Sequence, residues 1–95
     1  MNIPQTFTQK FELGQVQITP GVFDEVDLKD VTTGLIRHTG GDFGIVSEND
    51  KAANEEALET GDRILSSYLD RNGVKFWIIT EWDRSATTIL LPDEY

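Results

Sequence analysis

The stretch from Gly61 to Tyr95, GDRILSSYLDRNGVKFWIITEWDRSATTILLPDEY, limits what this chain can fold into more than any other. Three apolar, β-branched runs are separated by Asp70-Arg71-Asn72-Gly73 and by Glu81-Trp82-Asp83-Arg84-Ser85. Such runs, bounded by turn formers, predict a three-stranded antiparallel meander. In Val74 to Thr80, Phe76 and Ile78 share one face while Trp77 and Ile79 share the other, so a central strand covered on both sides is expected. On either side of it, Ile64, Ser66 and Tyr68 alternate with Arg63, Leu65 and Ser67. Likewise Thr87, Ile89 and Leu91 alternate with Ala86, Thr88 and Leu90.

Upstream, Met1 to Glu12 carries no clear pattern and is expected as a loose N-terminal arm, leaving 13–95 as a single domain. Gly14-Gln15-Val16-Gln17-Ile18-Thr19 alternates polar and apolar residues, as a half-buried strand does. Thr19-Pro20-Gly21 stops it and suits a helix start, with Thr19 as cap and Val22, Phe23 and Val26 at helical spacing. A second short helix is expected from about Asp30 to His38, burying Val31, Leu35 and Ile36, with Gly34 as its weak point. Gly40, Gly41 and Gly44 make the next segment a loop. Ser47-Glu48-Asn49-Asp50 approximates a capping box, and the helix that follows should end at Gly61. Its apolar stripe is Ala53, Ala57 and Leu58, with Asn54 facing inward beside Leu58. The expected domain is α+β: a small antiparallel sheet, made of the meander plus one N-terminal strand, with two or three helices packed on one face.

Ninety-five residues hold one small core. The absence of cysteine excludes disulfides, thiolate metal sites and thiol catalysis. No signal peptide is visible at Met1-Asn2-Ile3-Pro4 and no apolar run approaches bilayer-spanning length, so a cytoplasmic protein without membrane attachment is expected. Seventeen acidic against eight basic residues give a formal net charge of -9. That sign disfavours direct nucleic-acid binding. It leaves two readings open: charge for solubility, or carboxylates that imitate a phosphate array and occupy a nucleic-acid-binding site on another protein. Carriers of the second would be Asp24, Glu25, Asp27 and Asp30 on one element and Glu48, Glu55, Glu56 and Glu59 on another. An exposed Trp82 would anchor such an interface.

An ordered string of motifs adds to this. It comprises Gly14-Gln15-Val16, Thr19-Pro20-Gly21, Arg37-His38-Thr39-Gly40-Gly41-Asp42-Phe43-Gly44, Asp50, Asn54, Ala57-Leu58, Gly61 and Ser67-Tyr68. It continues through Trp77-Ile78-Ile79-Thr80-Glu81, Asp83-Arg84-Ser85, Thr87 to Pro92 and Glu94-Tyr95. Over most of its length the chain thus resembles small bacterial proteins carried on plasmids, phages and integrated elements. These are commonly labelled "plasmid-related protein" or "type I restriction endonuclease subunit M". Phe43, where tryptophan is common, and Trp82, where a small residue is common, depart from that pattern. Methyltransferase chemistry is excluded by the residues themselves: there is no cofactor-binding glycine motif after a strand, no Asn/Asp-Pro-Pro-aromatic tetrapeptide, and too little chain for a doubly wound fold. The resemblance implies an accessory protein of a mobile element.

Three constellations carry chemistry on paper. His38, the only histidine, adjoins a loop containing Asp42 and would serve either as a general base or as a structural residue at a helix end. With Arg84, Ser66 or Ser67, and Thr87 or Thr88, it could furnish the base, cation and donors of a small ribonuclease. The opposing reading makes Asp83 and Arg84 a self-bonded turn and the threonines strand formers. Asp42, Asn54 and Tyr68 are expected to form a polar network tying the glycine loop to the sheet. No ligand spacing for a metal and no cofactor motif is present. The three functional expectations are an acidic protein-binding inhibitor of a restriction, CRISPR or similar system, a toxin-like hydrolase, and a homodimer joined through an edge strand.

Overall fold

The structure, a computed structural model, describes residues 9–95. Four strands, β1 (Gln15–Ile18), β2 (Ile64–Leu69), β3 (Lys75–Thr80) and β4 (Ala86–Leu90), form one sheet in the order β1-β4-β3-β2. Three helices, α1 (Pro20–Glu25), α2 (Leu28–Thr39) and α3 (Glu48–Thr60), and a 3-10 turn at Pro92–Glu94 complete the α+β fold. The meander forms as its alternation predicts: β2 pairs antiparallel with β3, and β3 with β4. The sheet is nevertheless mixed, not wholly antiparallel, because β1 lies parallel to β4. Helix α1 leaves the end of β1 and turns back over β4, so β1 enters the sheet in the same sense as the last strand.

Local chemistry sets the helix ends. The Thr19 hydroxyl accepts from the Val22 N–H and Pro20 opens α1. Asp27 caps α2 through the Lys29 N–H, and Ser47 caps α3 through the Asp50 N–H. Gly61, at φ 85°, closes α3 in the left-handed region that glycine favours. Gly34 does not interrupt α2. It lets the helix lie against β3, where an added Cβ would sit 3.2 Å from the Phe76 ring.

The helix-facing side of the sheet carries the core. Val22, Val26 and Val31 from α1 and α2 pack on Tyr68, Phe76, Ile78, Ile89 and Leu91. A second cluster joins Phe11, Phe43, Ala57 and Ile64, with Leu13, Val46 and Leu58 against it. Phe11 belongs to the segment expected as a loose arm, of which residues 1–8 lie outside the described residues. Its ring is buried, and the Lys10 N–H donates to the Thr39 carbonyl at 2.7 Å. On the opposite side of β3, Trp77 is half-buried, meeting Tyr95 edge-on at 5.8 Å, and Arg63 donates to the Tyr95 hydroxyl. The two sides are therefore covered unequally, by helices on one and by this C-terminal aromatic on the other. β1 is exposed along its whole length and not half-buried, because it is the edge strand and Val22 seats itself within the core instead.

The two edges differ in chemistry. At β2 the Asn54 side chain takes both outward groups of Leu65, donating to its carbonyl at 2.7 Å and accepting from its N–H at 3.1 Å. The glycine loop takes those of Ser67, whose N–H donates to the Phe43 carbonyl and whose carbonyl accepts from the Ile45 N–H. Gly44, at φ 74°, permits this approach, since a Cβ there would meet the Ser67 carbonyl at 2.1 Å. Asn54 thus does for β2 what a fifth strand would do. Asn54→Ala should lower unfolding free energy by about 2–3 kcal/mol, because two backbone groups lose their partners. The neighbouring Glu55→Ala should stay within about 0.5 kcal/mol of wild type in the same urea titration.

Candidate functional site

Strand alternation decides which hydroxyls can meet His38. Ser66, Thr80 and Thr87 project from β2, β3 and β4 on the helix-facing side, whereas Ser67 and Thr88 project from the other. Near the end of α2, His38 turns inward and is 0% exposed. Its Nδ1 lies 2.6 Å from Ser66 Oγ and its Nε2 lies 2.9 Å from Thr80 Oγ1. Thr80 Oγ1 is 2.6 Å from Thr87 Oγ1, which in turn donates to the Leu13 carbonyl at 2.7 Å.

That carbonyl gives the chain a direction. A carbonyl only accepts, so the Thr87 proton is committed to Leu13. Thr87 then accepts from Thr80, Thr80 accepts from His38, and the imidazole carries its proton on Nε2. Nδ1 is left as an acceptor for the Ser66 hydroxyl. The tautomer follows from the network alone. Burial, with the Arg84 charge as a lesser contribution, pushes the His38 pKa down to about 3. The ring is neutral at ordinary pH and both nitrogens are occupied.

Arg84 is close by but equally committed. Its guanidinium donates to the carbonyls of Asp62 at 2.6 Å, Ala57 at 3.0 Å, Glu81 at 3.0 Å and Trp82 at 3.4 Å. It thereby pins the turn after β3 to the C-terminal end of α3. Arg84 itself sits at φ 59°, a conformation costly for a side-chain-bearing residue, which these bonds hold in place. Phe11 packs against both groups, its ring centroid 5.1 Å from that of His38 and 5.5 Å from the guanidinium carbon. His38 and Arg84 therefore share a neighbourhood without facing a common substrate position.

The remaining residues of interest divide in the same way. Asp42 does not orient His38. Its carboxylate is paired with Arg37 at 2.8 Å, a bond that holds the Asp42 pKa below the usual carboxylate range. The Asp42 carbonyl accepts from the Tyr68 hydroxyl at 2.6 Å, which ties the glycine loop to β2. Burial pushes the Tyr68 pKa up to about 12. Asn54 works separately, at Leu65. Ser67 Oγ is buried with no hydrogen-bond partner among the described residues. A recess of about 270 Å³ between α2 and the β2–β3 hairpin is lined by Arg37 and Arg71, but each cation is already paired, with Asp42 and with Asp30. Among the described residues no group of three or more His, Cys, Asp or Glu side chains could hold a metal ion.

The acidic residues split sharply by element. Asp27 is spent on the α2 cap, and it and Asp30 flank Arg71 at 3.4 and 3.1 Å. Asp24 and Glu25 remain exposed on α1. On α3, Asn54, Ala57 and Leu58 face the protein, which turns Glu48, Glu55, Glu56 and Glu59 outward within an arc of about 100° spanning roughly 16 Å. No ion pair engages them among the described residues. Trp82 is 65% exposed, and the Arg84 bonds hold its backbone beside the end of this ridge. The anchoring role of Arg84 and the place of Phe11 escaped the sequence reading. The alternation Phe11-Glu12-Leu13 was the available signal.

A buried neutral histidine makes acid stability measurable. With the folded pKa near 3 and the unfolded value near 6.5, the unfolded chain binds the extra proton between these limits. Stability is therefore complete above pH 6.5 and falls as the pH drops, by about 1.4 kcal/mol per unit once well below that value. Denaturant titrations at pH 7 and pH 5 should show this loss, and His38→Gln, less stable at pH 7, should lack the histidine contribution. An equal loss in both proteins would contradict the assignment.

Comparison with protein-family models, with curated proteins and with solved structures returns no match. The functional reading therefore rests on this chain's own geometry.

Proposed function

We propose that this chain is a non-enzymatic binding protein whose acidic helix α3 and neighbouring Trp82 engage a basic surface on a protein partner. The observation that carries this reading is an exposed Trp82 on a turn whose Arg84 guanidinium binds both the Trp82 carbonyl and the Ala57 carbonyl near the end of α3. An exposed indole held on a rigid turn is a typical interface anchor, because little conformational freedom is lost when it is covered. Four outward carboxylates beside it supply attraction for a cationic face.

Within that class, the concrete version is a decoy for nucleic acid. Four carboxylates over about 16 Å approach, without equalling, the spacing of about one phosphate per 3.4 Å of each DNA strand. The net charge of -9 and the resemblance to proteins of mobile elements favour a host or competing restriction, CRISPR or similar complex as the target. Asp27 and Asp30 are excluded from the proposed surface by their internal partners, leaving Asp24 and Glu25 as a minor second patch.

A hydrolase using His38, Arg84, Ser67 and Thr87 has less support. The imidazole is sealed and doubly bonded, both terminal nitrogens of the guanidinium are bonded to carbonyls, and Ser67 lies on the far side of the sheet. A general base must reach the proton that it removes.

The test is affinity purification of tagged chain from a host cell, with nuclease treatment in parallel. A DNA-binding complex should be retained after nuclease and released by moderate salt. Trp82→Ala should weaken capture by about 2 kcal/mol. The triple change of Glu55, Glu56 and Glu59 to Gln should weaken it and flatten the salt dependence. A salt-independent complex, or bound RNA fragments in place of protein, would overturn the reading.

A further inference from the structure

Along the outer edge of β1 the described fold leaves two successive outward-facing residues without backbone partners, against only Leu69 on β2. Gln15 N–H donates to the Ser85 carbonyl and Thr19 N–H to the Ile89 carbonyl, so alternate residues of β1 turn toward β4. The N–H and C=O groups of Val16 and Ile18 therefore point away from the sheet, two donors and two acceptors. None has a backbone partner among the described residues. The devices that usually blunt such an edge are missing: β1 contains no lysine, proline or bulge, and Gly14 to Val22 carries no charge at all in a chain with 26% charged residues. The contrast with β2, sealed by Asn54 and the glycine loop, makes this openness specific to one side.

From this we infer that β1 is the seam of a symmetric homodimer, pairing antiparallel with β1 of a second copy about a two-fold axis through Gln17. Only a strand in a matching register satisfies all four open groups, and this chain's own β1 is such a strand. With Gln17 opposite Gln17 of the second copy, Val16 of each copy lies opposite Ile18 of the other. Each of these two pairs exchanges two hydrogen bonds, and Pro20, lacking an N–H, ends the ladder. Val16 and Ile18, 42% and 44% exposed, then gather across the axis on the helix-facing side. Charge opposes a second copy least here: in a molecule of net charge -9, Gly14 to Val22 carries none, and the nearest carboxylate, Glu94, is held at its far end by Thr19 and Gly21. The product is a continuous eight-stranded sheet with an α3 at each far edge. The inference does not rest on the partner-binding reading, whose main carboxylates lie on α3, beside β2 at the other edge of the sheet.

Sedimentation equilibrium of the full chain across micromolar to millimolar concentration tests it. Wild type should approach twice the 10.7 kDa chain mass as concentration rises. Gln17→Glu places two carboxylates face to face and should weaken self-association by about tenfold or more, as should Gln17→Lys. Mixing the two variants should restore dimers, because unlike charges then meet across the axis, and this recovery shows that both variants are folded. A wild type that stays monomeric throughout overturns the inference. So does a Gln17→Glu protein that associates like wild type, or a mixture no more associated than its components.

Discussion

A line of hydrogen bonds from Ser66 through His38, Thr80 and Thr87 to the Leu13 carbonyl holds this small fold together. It touches β2, α2, β3 and β4 in turn and ends on the segment that leads into β1. A core of this size has few apolar contacts to define one arrangement, and non-directional burial alone would tolerate several helix rotations. A fully bonded polar line tolerates one. If α2 rotates or β4 shifts by a residue, His38 loses a partner in the protein interior, at a cost of about 1–3 kcal/mol. The same line fixes the imidazole tautomer, while burial keeps the ring of the only histidine neutral.

Arg84 does for the periphery what His38 does for the interior. Its four carbonyl partners come from α3, the segment after it and the turn following β3. The strain of its left-handed backbone is borne where the turn must reverse tightly. The outcome is a corner that ties the turn carrying the exposed Trp82 to the C-terminal end of α3. Two residues of one turn thus face opposite ways, the Arg84 guanidinium toward carbonyls and the Trp82 indole toward water.

Much of the architecture was legible because it is encoded locally. Thr19-Pro20, Ser47 and Gly61 mark helix ends through their own hydrogen bonds and φ preferences, and the meander follows from period-two alternation around two turns. The unread parts depend on contacts distant in sequence. Nothing in Gly14 to Thr19 states whether β1 runs parallel or antiparallel to its neighbour, since that choice is made by α1 folding back over β4. Gly34 reads as a weak point of a helix because propensity registers only the missing side chain, whereas packing against Phe76 needs that absence. For His38 the alternation separated Ser66 from Ser67 and Thr87 from Thr88 but left open which of each pair it meets, because sheet register and the rotation of α2 decide that. Phe11, assigned to an arm, is recruited by a pocket that exists only after α2, α3 and the sheet have assembled.

The claim beneath all of this is that a directed hydrogen-bond line makes His38 a neutral, Nε2-protonated member of the core. Long-range proton–nitrogen correlation NMR on uniformly labelled protein, followed from pH 7 to pH 4, tests it most directly. The account predicts a single Nε2–H tautomer with an unprotonated Nδ1 that does not titrate across that range. An Nδ1–H tautomer, or a ring that takes up a proton near pH 6.5, would contradict it.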